Sequence, residues 1–153
     1  MEGITGLDAA RTPNAPAAQV PDRCVMVMDE TLAGGHLANA IAVIALTVGQ
    51  RHPALVGAPL VDACGCAHPG LIPIGIPMLR AAQSELAALR QAALAAGCDV
   101  VDFPVEGQQT KDYAEFLAMT AQIATADLRY TGLAIIGRKK QVNRLVKDLA
   151  LIC

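Results

Sequence analysis

The chain has 153 residues, enough for one domain with its own core, and 54% of them are hydrophobic against 17% charged, which excludes general disorder. Two Tyr, two Phe and no Trp leave few rings on which nucleobases could stack, and a formal net charge of −2 disfavours extended binding to duplex nucleic acid. The charge is nonetheless uneven: residues 129–153 carry six basic groups and one acidic, residues 1–128 six basic and thirteen acidic, so one end of the chain favours an anion.

Residues 1–22 contain Pro13, Pro16 and Pro21 among small polar residues, with neither a helical nor a strand period. They predict a disordered tail before a single α/β domain over 23–153. The tail has no charged start followed by an apolar block, so it does not read as a secretory signal. Cys24–Met28 is short and wholly apolar, as expected of a central strand covered on both faces, and Asp29 and Glu30 end it. After Gly34 and Gly35, His36–Gly49 is long and Ala-rich enough to favour helix. Being apolar nearly all round, it is expected to be buried on most sides. Its uncharged core, Leu37–Val48, is too short to cross a bilayer, and no membrane is expected as a partner.

Leu60–Ala63 and Leu71–Ile76 are short apolar runs separated by Gly65 and the His68-Pro69-Gly70 turn, which predicts a hairpin or two loosely joined strands. Ala81–Ala96 has Leu86, Leu89 and Ala93 at helical spacing, Ser84 and Glu85 near its start, and Gly97 at its end. Asp99–Phe103 reads as a strand. Thr110 is then expected to cap a helix that packs Phe116, Leu117, Thr120 and Ile123 on one side. Gly132–Ile136 is a further strand, Arg138–Lys147 a short helix, and Leu149–Ile152 a last strand. Strands and helices alternate, which is the pattern of an α/β layer fold.

Several runs, taken together, resemble a known family: Val-Met-Val-Met-Asp-Glu at 25–30, Leu-Ala-Asn-Ala at 37–40, His-Pro-Gly at 68–70, Val-Val-Asp-Phe at 100–103 and Gly-Arg-Lys-Lys-Gln-Val-Asn-Arg-Leu at 137–145. They look like the bacterial family called domain of unknown function 2000, over about residues 24–153. That family resembles in turn the second, non-bacterial type of peptidyl-tRNA hydrolase. The resemblance implies a three-layer α/β/α sandwich around a mixed sheet. It does not carry the chemistry across. The hydrolase helix opens Gly-Lys with Gln and His further on, whereas Gly35 is followed here by His36, Ala40 and Val43 at those positions, and of the hydrolase's second motif only Gly107 agrees.

The candidate site residues divide into two groups. Arg138, Lys139 and Lys140 stand at the opening of a helix, where cations are unfavourable and where free amides beside Gly137 would accept phosphate or carboxylate; the bland alternative is a solvated turn whose cations are relieved by an Asp or Glu elsewhere. Asn143, one turn on, either joins that ligand or ties down a loop. Asp29, at the strand edge where α/β ligands collect, and His36, at the positive end of a helix, are the candidate general bases. A first-turn position open to solvent is the bland alternative for His36, and a strand-ending cap the bland one for Asp29.

Asp62, Cys64, Cys66 and His68 alternate as a metal set would on one strand face, but Gly65 breaks the strand and the cysteines are spaced too closely for a zinc knuckle. His68 is therefore read as a turn residue with a ligand role, and neither a metal nor a cofactor is expected. Five cysteines without regular spacing suit a reduced, cytoplasmic protein. The high apolar content predicts a homodimer. The functional expectation is a small anionic ligand held between the end of the first strand and the basic C-terminal helix, with catalysis left open. The alternatives are a hydrolase acting on an ester-type or peptidyl-tRNA-like substrate, and a non-catalytic subunit that binds a partner through an apolar patch.

Overall fold

A computed structural model describes residues 20–153. Five strands form one mixed sheet, and a two-stranded hairpin stands apart from it. Strand β1 (Arg23–Asp29) is at the centre, with residues 24–29 all buried. Its neighbours are β6 (Tyr130–Gly137), antiparallel to it, and β4 (Met78–Ala81), parallel to it. Beyond these lie β5 (Asp99–Pro104) and β7 (Ala150–Leu151), giving the order β5-β6-β1-β4-β7.

Because successive side chains point to opposite faces, the apolar run of β1 serves two cores at once. Val25 and Val27 pack with Leu133, Ile135 and Leu79 under α2 (Gln83–Ala95) and α5 (Lys139–Val146), whose Leu86, Ala93, Val142 and Val146 are buried there. Cys24, Met26 and Met28 pack on the other face with Ala134 and Ile136 under α1 (Gly34–Arg51), which contributes Ala40, Ile44 and Val48. Helices therefore lie on both sides of the sheet.

Several expectations are corrected by the structure. Helix α1 is not buried on most sides: only Ala40, Ile44 and Val48 are, while Val43 and Leu46 face outward, Leu46 being 79% exposed. One sheet face covers one stripe of a helix, however apolar the rest of it is. The run Leu71–Ile76 is not a strand. Pro73, Gly75 and Pro77 deny it a continuous ladder, and Ile72, Ile74 and Ile76 instead line the α1 face as irregular chain.

The strand that does form there, β4, begins after Pro77 and takes up Ala81, so α2 starts two residues later than expected. Glu85 still works at its start, accepting the Ala82 amide at 3.3 Å. The hairpin is shorter than expected, β2 being Leu60–Val61 and β3 Ala67–His68. Thr110 caps nothing: its hydroxyl donates back to the Glu106 carbonyl at the end of the short α3 (Glu106–Gln109). Asp112 is the cap of α4 (Tyr113–Thr120), accepting the Ala114 amide at 2.6 Å, and α4 buries no residue.

Most of the expected tail, residues 1–19, lies outside the described residues. Asp22, expected to belong to it, belongs to the domain. Its amide donates to the Gly137 carbonyl at 3.2 Å and its carboxylate accepts the Lys139 amide at 2.6 Å. Among the described residues no helix is long and apolar enough to cross a membrane.

Candidate functional site

The sheet register decides which candidate residues can share a ligand. Arg23 pairs with Gly137 and Met28 with Gly132, so β1 and β6 run in opposite directions. Asp29 thus stands at one edge of the sheet together with Ala81, Pro104 and Tyr130, while Gly137 and the start of α5 stand at the other with Arg23 and Asp99. A seven-residue strand separates the two edges by roughly 20 Å. The acidic strand end and the basic helix are not brought together, and no small ligand reaches both.

At the basic edge the structure supplies an intramolecular anion. Asp22 takes the Lys139 amide and lies 3.7 Å from the Arg138 guanidinium, so the cations at this unfavourable position are relieved by a carboxylate of the same chain. Arg138, Lys139 and Lys140 are exposed. Gly137 and Arg138 line a shallow cavity of about 350 Å³ that also includes His52 and Asp99. Asn143 opens on a different cavity, with Arg23 and Lys147.

Asp99 at this edge joins the end of α1 to β5. Its two oxygens accept the Arg51 Nε and Nη2 at 2.9 and 2.7 Å, and His52 Nε2 lies 2.7 Å from Oδ2. The Arg51 guanidinium, aided by His52, holds the Asp99 carboxyl below the usual carboxylate range. A carboxyl with a lowered folded-state pKa stabilises the protein above its unfolded value and loses that contribution as pH falls through the lowered one. The Tm advantage of the parent over Asp99→Asn is therefore expected to be full at about pH 6 and to shrink steadily below about pH 4, as followed by thermal melts across that interval.

The opposite edge has a depression of its own. Strands β1 and β4 are adjacent and parallel, yet the helix after β1 goes to one face and the helix after β4 to the other. Diverging exits leave a crevice at the carboxyl ends of the strands, where ligands of open α/β sheets bind. A cavity of about 260 Å³ is found there, lined by Asp29 and Glu30 from the end of β1, Ala33 and Gly34 from the start of α1, and Arg80 and Cys153.

Asp29 is 5% exposed and fully engaged. Oδ1 accepts the Thr31 amide and hydroxyl, each at 2.9 Å, and Oδ2 accepts Gln83 Nε2 at 2.9 Å. The carboxylate thus fastens the β1 exit loop to the first residue of α2 across the crevice. The 18-residue α1 begins with no side-chain cap and no acidic residue in its first turn. Gly34, at φ +53° with open space around its Cβ position, lines the depression with Ala33 and Leu37, and the first turn of the helix has no side-chain cap. Arg80, exposed and without an ion-pair partner among the described residues, adds a cation.

A family model matches residues 22–152, nearly all of the described chain. The chain belongs to the family described as protein of unknown function (DUF2000). A DUF2000 chain of this kind is also similar to a solved structure, a protein of unknown function called Atu0240 from Agrobacterium tumefaciens str. C58. The TM-score is 0.77 at 18% identity, over 86% of this chain and 97% of that one, a likeness of fold. No curated protein matches the chain.

The remaining candidates of this DUF2000 protein fall apart from one another. His36 is exposed in the first turn of α1, where its carbonyl, not its ring, is engaged, accepting Gln108 Nε2 from α3 at 3.1 Å. His68 is exposed on the separate hairpin, its Nε2 3.1 Å from Asp62 Oδ2. Asp62 Oδ1 accepts the amides of Cys64 and Cys66, and these bonds, that of Cys66 foremost and His68 next, hold its carboxyl below the ordinary range. Sequence reasoning missed Arg80, because its strand was not recognised, and Glu106, 8% exposed with an Oε2 that meets no hydrogen-bond partner. A carboxylate two residues past a strand was the available signal for Glu106. Gln83 was missed as the third donor to Asp29.

Proposed function

We propose that this protein binds a small anionic ligand, a phosphate or a carboxylate, at the crevice between the ends of β1 and β4. The observation that carries the reading is that the long helix α1 opens, without cap or acidic residue, into the same 260 Å³ cavity as Arg80. Amides would meet one side of the anion and the guanidinium fork the other. Asp29 enters this reading as the clasp that keeps the crevice shaped, with its oxygens already engaged, rather than as a free base. The anchors move from the expected Gly137, Arg138, Lys139 and Lys140 to α1 and Arg80, because Asp22 already serves the opening of α5.

The likeness to the second type of peptidyl-tRNA hydrolase is an analogy of scaffold. The positions that would bear its chemistry hold His36, which is exposed, Ala40, which is buried, and Val43, whose side chain is apolar. A binding role accounts for the crevice without that chemistry.

The test is a thermal-shift titration with inorganic phosphate, acetate and citrate on the parent, Arg80→Ala and the double variant Lys139→Ala/Lys140→Ala. A ligand at about 100 times Kd adds about 2.7 kcal/mol to the stability. The parent and the double variant are expected to shift alike and Arg80→Ala to shift little. Loss of the shift in the double variant alone would move the site to α5, and no shift with any anion in the parent would overturn the reading.

A further inference from the structure

We propose that Cys64 and Cys66, at the tip of the β2–β3 hairpin, form a dithiol site for thiol–disulfide exchange. This rests on a part of the molecule that the anion reading does not use.

The hairpin is a two-residue-by-two-residue ladder, Leu60 with His68 and Val61 with Ala67, set apart from the main sheet. Every residue from Leu60 to Pro69 is exposed, so both thiols are accessible, in contrast to the buried Cys24 and Cys98. Burial pushes the Cys24 thiol up to about 11 and raises that of Cys98, which leaves both inert in exchange.

What distinguishes the pair is its convergence. The amides of Cys64 and Cys66 both donate to one atom, Asp62 Oδ1, each at 2.9 Å. The Asp62 amide donates to the Cys66 carbonyl and the Gly65 amide to the Asp62 carbonyl, both at 3.0 Å. Two amides aimed at a single oxygen require a curled backbone between them, and Gly65, at φ +83° with nothing near its Cβ position, supplies the left-handed residue that closes the curl. A curled Cys-Gly-Cys brings its two Cα atoms into the separation that disulfides span, whereas an extended one holds them at its upper limit. The ring so closed contains a single intervening residue. A small exposed ring is easily opened again, which suits reversible exchange rather than a permanent staple.

The reaction balances as a two-electron transfer. The thiolate of one cysteine attacks one sulfur of a dialkyl disulfide; that S–S bond breaks, a mixed disulfide forms, and the released thiolate takes up a proton. The second cysteine, as thiolate, then attacks the cysteine sulfur of the mixed disulfide, forming the Cys64–Cys66 bond and releasing the second thiol. The pair loses two electrons and two protons, and the disulfide becomes two thiols. The reverse run reoxidises a thiol partner. Both thiols are exposed, so either can attack first.

The probe is glutathione disulfide, applied to the full chain carrying Cys153→Ser so that the other exposed thiol is removed. Intact mass and peptide mapping after alkylation are expected to show a product lighter by two hydrogen atoms, with Cys64 and Cys66 joined and two glutathione equivalents released. The second step is intramolecular, so the doubly glutathionylated chain does not accumulate. Dithiothreitol should restore both thiols. Cys64→Ser and Cys66→Ser, both at exposed positions that leave the core untouched, are each expected to stop at one stable glutathione adduct. Accumulation of a doubly adducted chain, cross-linking between chains in place of the ring, or adduct formation no different in the single variants would overturn the proposal. So would stoichiometric zinc retained by the purified protein and released when the two thiols are alkylated.

Discussion

Replacing Asp29 with Ala is expected to destabilise the protein by about 2–3 kcal/mol, or roughly 4–12 °C in Tm, whereas Asp29→Asn should remain within about 1 kcal/mol of the parent. The Ala variant strands three donors: the Thr31 amide and hydroxyl on one oxygen, and Gln83 Nε2 on the other. Asp29 itself is buried while Thr31 is exposed and Gln83 half-buried, so water meets part of the loss, and the cost is that of three hydrogen bonds to a charged acceptor. Asn keeps Oδ1 for Thr31, and the Gln83 amide can turn to offer its own oxygen to the new NH₂ group. The comparison separates two roles. If Asp29 acts as a clasp, stability follows the hydrogen bonds and Asn suffices. If instead Asn fails as badly as Ala in urea or thermal melts, the negative charge itself is what this edge of the sheet requires.

Gly70→Ala is expected to cost about 2–3 kcal/mol, near the upper end of the overpacking range, although Gly70 is neither in the core nor at a positive φ. A Cβ there would lie 2.0 Å from the Gly57 carbonyl oxygen and 2.8 Å from that of Ala58. These are backbone atoms, and they cannot swing aside as a methionine tip can. The same crossing holds the base of the hairpin, since the Gly57 amide donates to the Leu71 carbonyl at 2.8 Å. Gly75→Ala, a few residues on, meets nothing within 4 Å and should be neutral to within about 0.5 kcal/mol. Melts of the two variants side by side check the contrast. Cleavage between residues 57 and 71 in limited proteolysis of Gly70→Ala would place the damage at the crossing. Equal stability of the two variants would mean that the chain shifts there without cost.

Much of this architecture can be read from the residues, and the exceptions have physical causes. The central strand was legible because Cys24–Met28 has no polar residue on either face, and α2 because its leucines recur at helical spacing before Gly97. Strand β4 was not. Met78–Ala81 is four residues long, carries an arginine and follows a proline, so neither length nor alternation marks it, and its pairing with β1 is a long-range fact. The candidate site failed to assemble for the same reason. Asp29 and the run Arg138–Lys140 were each sound local signals, but whether they meet depends on the direction of β6 relative to β1, and antiparallel pairing put them at opposite ends. Asp22 was lost to the expected tail because the amide it caps is far away in sequence. The exposed outer side of α1 was misjudged because composition counts apolar residues without counting the surfaces available to cover them.

Strand β7 pairs with β4 through only two positions, Leu79 with Leu151 and Arg80 with Ala150, followed by the Ile152 amide on the Met78 carbonyl. The outer margin of the sheet is thus hemmed by the shortest strand in it. So narrow a hem adds little to either core, yet it occupies the ladder positions that another chain would need in order to extend the sheet. Were it unpicked, Met78–Ala81 would become a bare selvedge, and runaway lateral growth from one sheet to the next would have somewhere to begin.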